Sequence, residues 1–207
     1  MKQGLFITFE GVDGCGKTTQ LERVALRLRT AGYNVVCTRE PGGTVLAEKL
    51  RSLVLDPSLD MGALSATLLY LAGRAEHLRK VIRPALADGL IVLCDRFSDS
   101  TLVYQGYVGG LELKAIEQMN DFATGGLEPD LTLLLDGAPG LLAARRVARG
   151  VTDRYEQEGL AFQQQLRSGF LALAQRAPQR IRLVDALLAP EQVEQKLMDA
   201  IIPLLDK

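Results

Sequence analysis

The chain has 207 residues, 47% of them hydrophobic and 24% charged, with a formal net charge of −1. That is apolar material enough for the core of one ordinary domain, and it excludes a disordered chain. The near-neutral charge argues against bulk binding to nucleic acid or to an anionic membrane, though it permits a local basic site.

Residues 5–10 (LFITFE) read as a strand rather than a signal peptide, because Glu10 cuts the apolar run. A glycine-rich loop follows. The spacing of Leu21, Val24, Ala25 and Leu28 then predicts a helix over 17–31, ended by Gly32. A second strand is expected at 34–38, a turn-rich loop at 39–44 (REPGGT), and a helix at 45–55 that stops before Asp56-Pro57. Residues 61–88 have a long helical pattern, with Pro84 placed to kink or split it. Apolar strands are expected at 89–96 and 130–136, with a helical region between them that breaks near 104–110. A helix at 141–149, a polar connection at 150–159, a helix at 160–177, a fifth strand at 180–185 and an amphipathic helix from Pro190 complete the pattern. No apolar run approaches the ~20 residues of a membrane span. Three cysteines without close pairing point to a reduced, cytoplasmic protein.

Five short buried strands alternating with helices predict an α/β fold. It has three layers, a five-stranded parallel sheet with helices on both faces, and spans 1–207 as a single domain. Sites in such a sheet lie beyond the carboxyl ends of the strands. Three polar stretches fall there: 11–18, 39–44 and 95–96.

Gly11 to Thr18 is G-x-x-x-x-G-K-T between a predicted strand and a predicted helix, the pattern of a P-loop. The backbone N–H groups of such a loop wrap a phosphate, Lys17 reaches the β/γ-phosphates, and the Thr18 hydroxyl sits on Mg²⁺. The chain's asparagines, Asn34 and Asn120, do not precede lysine, so the Asn-Lys guanine reader of a GTP switch is missing. Asp95, at a strand end, suits a Mg²⁺-water ligand or a simple N-cap, and the upstream P-loop favours the metal. Arg96 beside it suits a bridge between donor and acceptor phosphates, since guanidinium matches phosphate geometry and stays charged. Asp13 is the anomaly, a carboxylate inside a loop built for anions.

The stretches FEGVDGCGKTTQ, TREPGGT, LLYLAGRAEH, CDRFSDSTLVYQG and RGVTDRYE occur in that order. In this the chain resembles the thymidylate kinase family, which moves the γ-phosphate of ATP to dTMP. The resemblance implies a P-loop kinase fold, Mg²⁺ with ATP as donor, dTDP as product for dTTP supply, and a cytoplasmic homodimer without nucleic-acid or membrane partners. It implies that Gly11, Asp13, Gly14, Cys15, Gly16, Lys17, Thr18 and Thr19 surround ATP, with Arg145 or Arg146 against adenine. On the acceptor side it implies that the 39–44 loop, with Glu40 and Pro41, borders the dTMP phosphate. Arg51 contacts that phosphate and Arg96 shares it. Tyr70 would stack on thymine, and Arg74 would donate to O4, where cytosine presents an amino group instead. Ser100, Thr101 and Gln105 would also reach the nucleotide, and Tyr104 would leave no room for a 2′-hydroxyl. Asp13 would face the 3′-hydroxyl, directly or through a Mg²⁺-bound water, with Glu156 as the second acid. Some members carry an arginine where this chain has Gly14. The compensating cations are therefore expected from a mobile lid segment, about 149–159, with Arg149 and Arg154 as candidates. Lys17, Asp95, Arg96, Arg149 and Arg154 form the expected catalytic set, and Thr18 and Asp95 the metal set. Apolar faces within 61–87 and 111–123 are the candidates for a dimer contact. Two rival readings stay open at this level. One is a deoxynucleoside kinase with Glu10 or Asp95 as base. The other is a nucleotide-binding switch or ATPase without an acceptor.

Overall fold

The computed structural model describes residues 4–147, 155 and 158–205 of the chain. Strands β1 (Leu5–Glu10), β2 (Val35–Arg39), β3 (Ile91–Asp95), β4 (Leu131–Asp136) and β5 (Ile181–Asp185) form one sheet in the order β2-β3-β1-β4-β5, parallel throughout. The helices are α1 (Lys17–Thr30), α2 (Val45–Val54), α3 (Ala63–His77), α4 (Arg83–Ala87), α5 (Ser98–Thr101), α6 (Leu113–Thr124), α7 (Pro139–Val147), α8 (Leu160–Arg176) and α9 (Pro190–Leu205).

Successive strand residues point to opposite faces, so Phe6 and Ile7 enter different cores. Ile7, Phe9, Leu93 and Leu133 pack with Val24 and Leu28 of α1 and with Leu197 and Ile201 of α9. Phe6, Val92 and Cys94 pack with Leu78, Ile82 and Ala85. Helical elements thus cover both faces, the arrangement an all-parallel sheet requires. This is the three-layer α/β fold expected from the alternation.

Element boundaries differ from the sequence expectation where backbone geometry intervenes. β3 is shorter than 89–96 because Gly89 (φ 75°) and Arg96 (φ 71°) take left-handed conformations on either side of it. Pro84 does divide the long helical stretch. It sits in the first turn of α4, where its missing N–H is no loss, and a π turn at Leu78–Ile82 joins α3 to α4. A second π turn, Leu102–Val108, occupies the expected break near 104–110. α7 starts at Pro139 instead of 141, again with proline in the first turn.

β1 is central, and Phe9 is in register with Asp95. Pairing continues one step beyond the strands: Glu40 N–H donates to Asp95 O and Arg96 N–H to Phe9 O, both at 2.9 Å. The three loops that leave β1, β2 and β3 therefore emerge side by side.

Candidate active site

The loop from Gly11 to Gly16 joins β1 to α1. At Gly11 a side chain is excluded outright, since a Cβ there would lie 2.4 Å from the Leu135 carbonyl oxygen. Gly16, with φ 93°, is the residue before α1. The Lys17 amine is buried within the loop and donates to the carbonyls of Gly11 (3.0 Å) and Val12 (3.1 Å). The Thr18 hydroxyl donates to Asp95 Oδ2 at 2.6 Å, so the two residues expected to serve a metal are already neighbours across β1 and β3. Cys15 is buried behind the loop, and burial pushes its thiol up, away from the reactive thiolate form.

Asp13 does not stand alone among anions. Arg96 donates to its Oδ1 at 2.5 Å, the Tyr104 hydroxyl donates to its Oδ2 at 3.4 Å, and the Lys17 ammonium lies 3.9 Å away. Two cations therefore offset the carboxylate within the protein itself. Arg96 also lies over the Tyr104 ring at 5.3 Å and donates to Ser100 Oγ at 3.1 Å. Burial works against the Arg96 charge, but Tyr104, Asp13, Glu10 and Asp95 more than offset it and keep the guanidinium protonated.

Glu10 anchors the turn that carries Arg96. Its Oε1 accepts from the backbone N–H groups of Phe97 (2.8 Å) and Ser100 (3.2 Å), and its Oε2 accepts from Ser100 Oγ (2.6 Å). The side chain is fully buried, and burial raises its pKa from an ordinary 4.5 to about 7, although Arg96 pulls it down. A carboxyl with both oxygens occupied and no access to substrate is poorly suited to act as a base. Asp99, on the same short helix, is held by two bonds from Arg180, at 2.7 and 2.8 Å.

At the far end of the cleft, Arg74 is 3% exposed. Its Nε donates to Glu40 Oε2 at 2.7 Å and its Nη1 to Asn120 Oδ1 at 2.5 Å, and the guanidinium lies 5.0 Å over the Phe97 ring. Glu40 uses its other oxygen on His77. Its carboxylate thus serves two residues of α3. Arg51 donates to the Pro41 carbonyl at 2.8 Å, which ties α2 to the 39–44 loop. Gln105 donates to the Tyr155 hydroxyl at 3.2 Å, and Tyr155 packs edge-on against Tyr104 with centroids 5.2 Å apart.

A cavity of about 610 Å³ runs along this cleft. Asp13, Lys17, Thr18, Glu40, Pro41, Arg51, Tyr70, Arg74, Asp95, Arg96, Ser100, Thr101, Tyr104 and Gln105 all line it. Gly11, Gly14, Gly16 and Thr19 belong to the loop and the first turn of α1 beside it, with Gly14 in a left-handed conformation at φ 84°. The backbone of Arg146 lies in α7, while its side chain, together with Arg149, Arg154 and Glu156, lies outside the described residues, as does most of the expected 149–159 lid. Sequence reading missed His77, Asn120 and Tyr155, and considered Glu10 only as a base for the rival reading. Glu10, His77 and Tyr155 all sit inside the motif stretches that carry the resemblance, and His77 is in addition the single histidine of the chain.

A family model described as thymidylate kinase matches residues 9–197. A thymidylate kinase of Deinococcus radiodurans is 49% identical over 201 residues, covering 97% of this chain and 98% of that one. One of Pseudomonas fluorescens is 53% identical over 203 residues, covering 98% and 96%. Among solved structures, the thymidylate kinase of Ehrlichia chaffeensis is similar with a TM-score of 0.78 and 35% identity, covering 96% of this chain and 99% of that one.

Proposed function

The chain belongs to the thymidylate kinase family, and on that premise we propose how its cleft phosphorylates dTMP to dTDP with ATP. The observation that carries the reading is the continuity of the cavity from Lys17, Thr18 and Asp95 to Tyr70, Arg74 and Gln105. The P-loop end takes the ATP phosphates and the far end takes the base. Arg51 and Arg96 meet the acceptor phosphate between them, and Asp13 accepts from the sugar 3′-hydroxyl. Tyr70 stacks on thymine. Thr101 and Gln105 reach the base, and Tyr104 closes the space a 2′-hydroxyl would need. Arg74, fixed at Nε and Nη1, offers a donor to O4. Cytosine presents an amino group there, and two buried donors face to face leave both unpaired.

Phosphoryl transfer is chiefly positioning and charge stabilisation. The acceptor is already a phosphate, so no strong base is required, in keeping with the full occupancy of Glu10. That occupancy tells against the deoxynucleoside kinase reading, and the family's acceptor chemistry tells against a switch or bare ATPase. Mg²⁺ fits the Thr18 hydroxyl and Asp95 carboxylate, two hard oxygen donors 2.6 Å apart, with the remaining ligands left to phosphate and water. When bound it neutralises charge on the transferring group. Among the described residues no cluster of three or more His, Cys, Asp or Glu could hold a metal by itself. Arg149 and Arg154 supply the cation that Gly14 cannot, and Glu156 is the second acid at the sugar.

A homodimer is supported by apolar side chains left exposed on α3 and α6: Leu64 and Leu68 at 53% and Phe122 at 91%. Phe122→Glu should then shift the sedimentation coefficient to that of a monomer. A cytoplasmic setting is supported by three free thiols, including exposed Cys37. No described helix is long and apolar enough to cross a membrane.

The acceptor panel tests the reading. With ATP and Mg²⁺, kcat/KM for dTMP should exceed that for dCMP and thymidine by orders of magnitude. The dUMP value should fall only about 10–200-fold, the worth of one methyl group in an apolar pocket. Thymidine used as well as dTMP would overturn the phosphate-acceptor assignment.

A further inference from the structure

His77 ends α3 with its side chain wholly buried, and it is the only histidine in the chain. Buried imidazoles need partners for both ring nitrogens, and here each partner belongs to the acceptor side of the cleft. Nδ1 lies 3.0 Å from Glu40 Oε1, and Nε2 lies 2.6 Å from Thr38 Oγ1. A carboxylate only accepts, so Nδ1 carries a proton and donates to Glu40. In the neutral ring Nε2 then accepts from the Thr38 hydroxyl. The second oxygen of Glu40 receives Arg74 Nε at 2.7 Å. One imidazole thus orients a carboxylate, and that carboxylate orients an arginine.

The same ring is the floor of the loop after β2. Gly43 has φ 83°, and a Cβ there would come within 2.5 Å of His77 Nε2 and 2.8 Å of Thr38 Oγ1. Glycine lets the loop settle directly on the imidazole. None of this is needed to close a core. A leucine would fill the volume without a polar partner, whereas the chain keeps a buried ion pair and a histidine that orders it.

We propose that His77 is a positioning residue for base recognition, acting on Arg74 through Glu40. The proposal rests on the reading that Arg74 meets O4 of thymine. Arg74 has five N–H donors, and its recorded bonds to protein use Nε and Nη1. The direction of Nη2 is then set by how firmly the other side of the guanidinium is held. If Glu40 turns, the donor that discriminates an oxo from an amino group turns with it.

The test separates this role from simple packing. Asparagine places its amide N–H near the position of Nδ1, and glutamine places its amide near that of Nε2. His77→Asn should keep the donor to Glu40, and His77→Gln should keep only the Thr38 partner. In steady-state assays with dTMP and dCMP, His77→Gln should raise KM for dTMP and narrow the dTMP/dCMP ratio of kcat/KM by about tenfold or more, the worth of a charge-assisted hydrogen bond. KM for ATP should stay unchanged. His77→Asn should recover most of the ratio, and in an Arg74→Met background His77→Gln should add nothing. A ratio that is unchanged in folded His77→Gln, or lowered equally by both substitutions, overturns the proposal. Should His77→Gln fail to fold, Glu40→Gln carries the test: the same narrowing supports the link, and an unchanged ratio overturns it. Arg74→Met distinguishes the premise. If it narrows the ratio and His77→Gln does not, His77 is excluded while Arg74 keeps its role. If Arg74→Met itself leaves the ratio intact, the reading of O4 fails and the proposal falls with it.

Discussion

Glu10→Gln should make this protein less sensitive to pH. In the folded chain Glu10 is fully buried, and burial lifts its pKa from 4.5 to about 7. The folded-state pKa is raised, so between pH 4.5 and about 7 the folded protein holds a proton that the unfolded chain has released. Stability from this group is complete below the unfolded value and is lost as pH rises through the folded one. At about 1.4 kcal/mol per pH unit, the whole window amounts to about 3 kcal/mol. Glutamine imitates the protonated acid. Its carbonyl can accept from the N–H groups of Phe97 and Ser100, and its amide can donate to Ser100 Oγ, reversing that bond. Urea unfolding at about pH 5 and about pH 8 reads the effect, most of which falls between those values. The native protein should lose about 2–3 kcal/mol more than Glu10→Gln across that interval, and comparing the two cancels the titrating groups that are not coupled to Glu10. Parallel losses in both proteins would refute the reasoning, because Glu10 would then ionise without penalty.

Three further outcomes follow from the same geometry. Asp13→Asn should raise KM for dTMP about tenfold with a smaller change for ATP, since it weakens the acceptor of the sugar hydroxyl and the partner of Arg96 together. Lost ATP affinity with a normal KM for dTMP would contradict that. Arg180→Met should destabilise the fold by about 3 kcal/mol in urea, because it leaves the 3%-exposed Asp99 without its bidentate partner. A loss below about 1 kcal/mol would mean that Asp99 is neutral or rehydrated. Arg149→Ala/Arg154→Ala should lower kcat at least about 10²-fold, because Gly14 supplies no cation and a transition-state arginine is worth about 10³–10⁵. Full activity of that double variant would remove the lid assignment.

What the sequence determined alone are features with a short reach along the chain. Alternation of apolar runs and helical spacings dictates an α/β sheet, because burial acts on periodicity within a few residues. Gly11-x-x-x-x-Gly16-Lys17-Thr18 announces a phosphate loop for the same reason, since its chemistry is local backbone geometry. Asp95 and Arg96 could be placed at a strand end, and from there in the cleft. The tertiary structure alone decided the pairings across the chain. Arg74 finds Glu40 at a separation of 34 residues and Asn120 at 46, and Arg96 finds Asp13 at 83. Glu10 as an anchor, the left-handed turn at Arg96 and the imidazole under Gly43 belong to the same class. A buried polar side chain takes whichever partner the packing of distant segments brings within about 3 Å. No periodicity encodes that partner, because it is chosen by register between strands and by how α3 packs against α2 and α6.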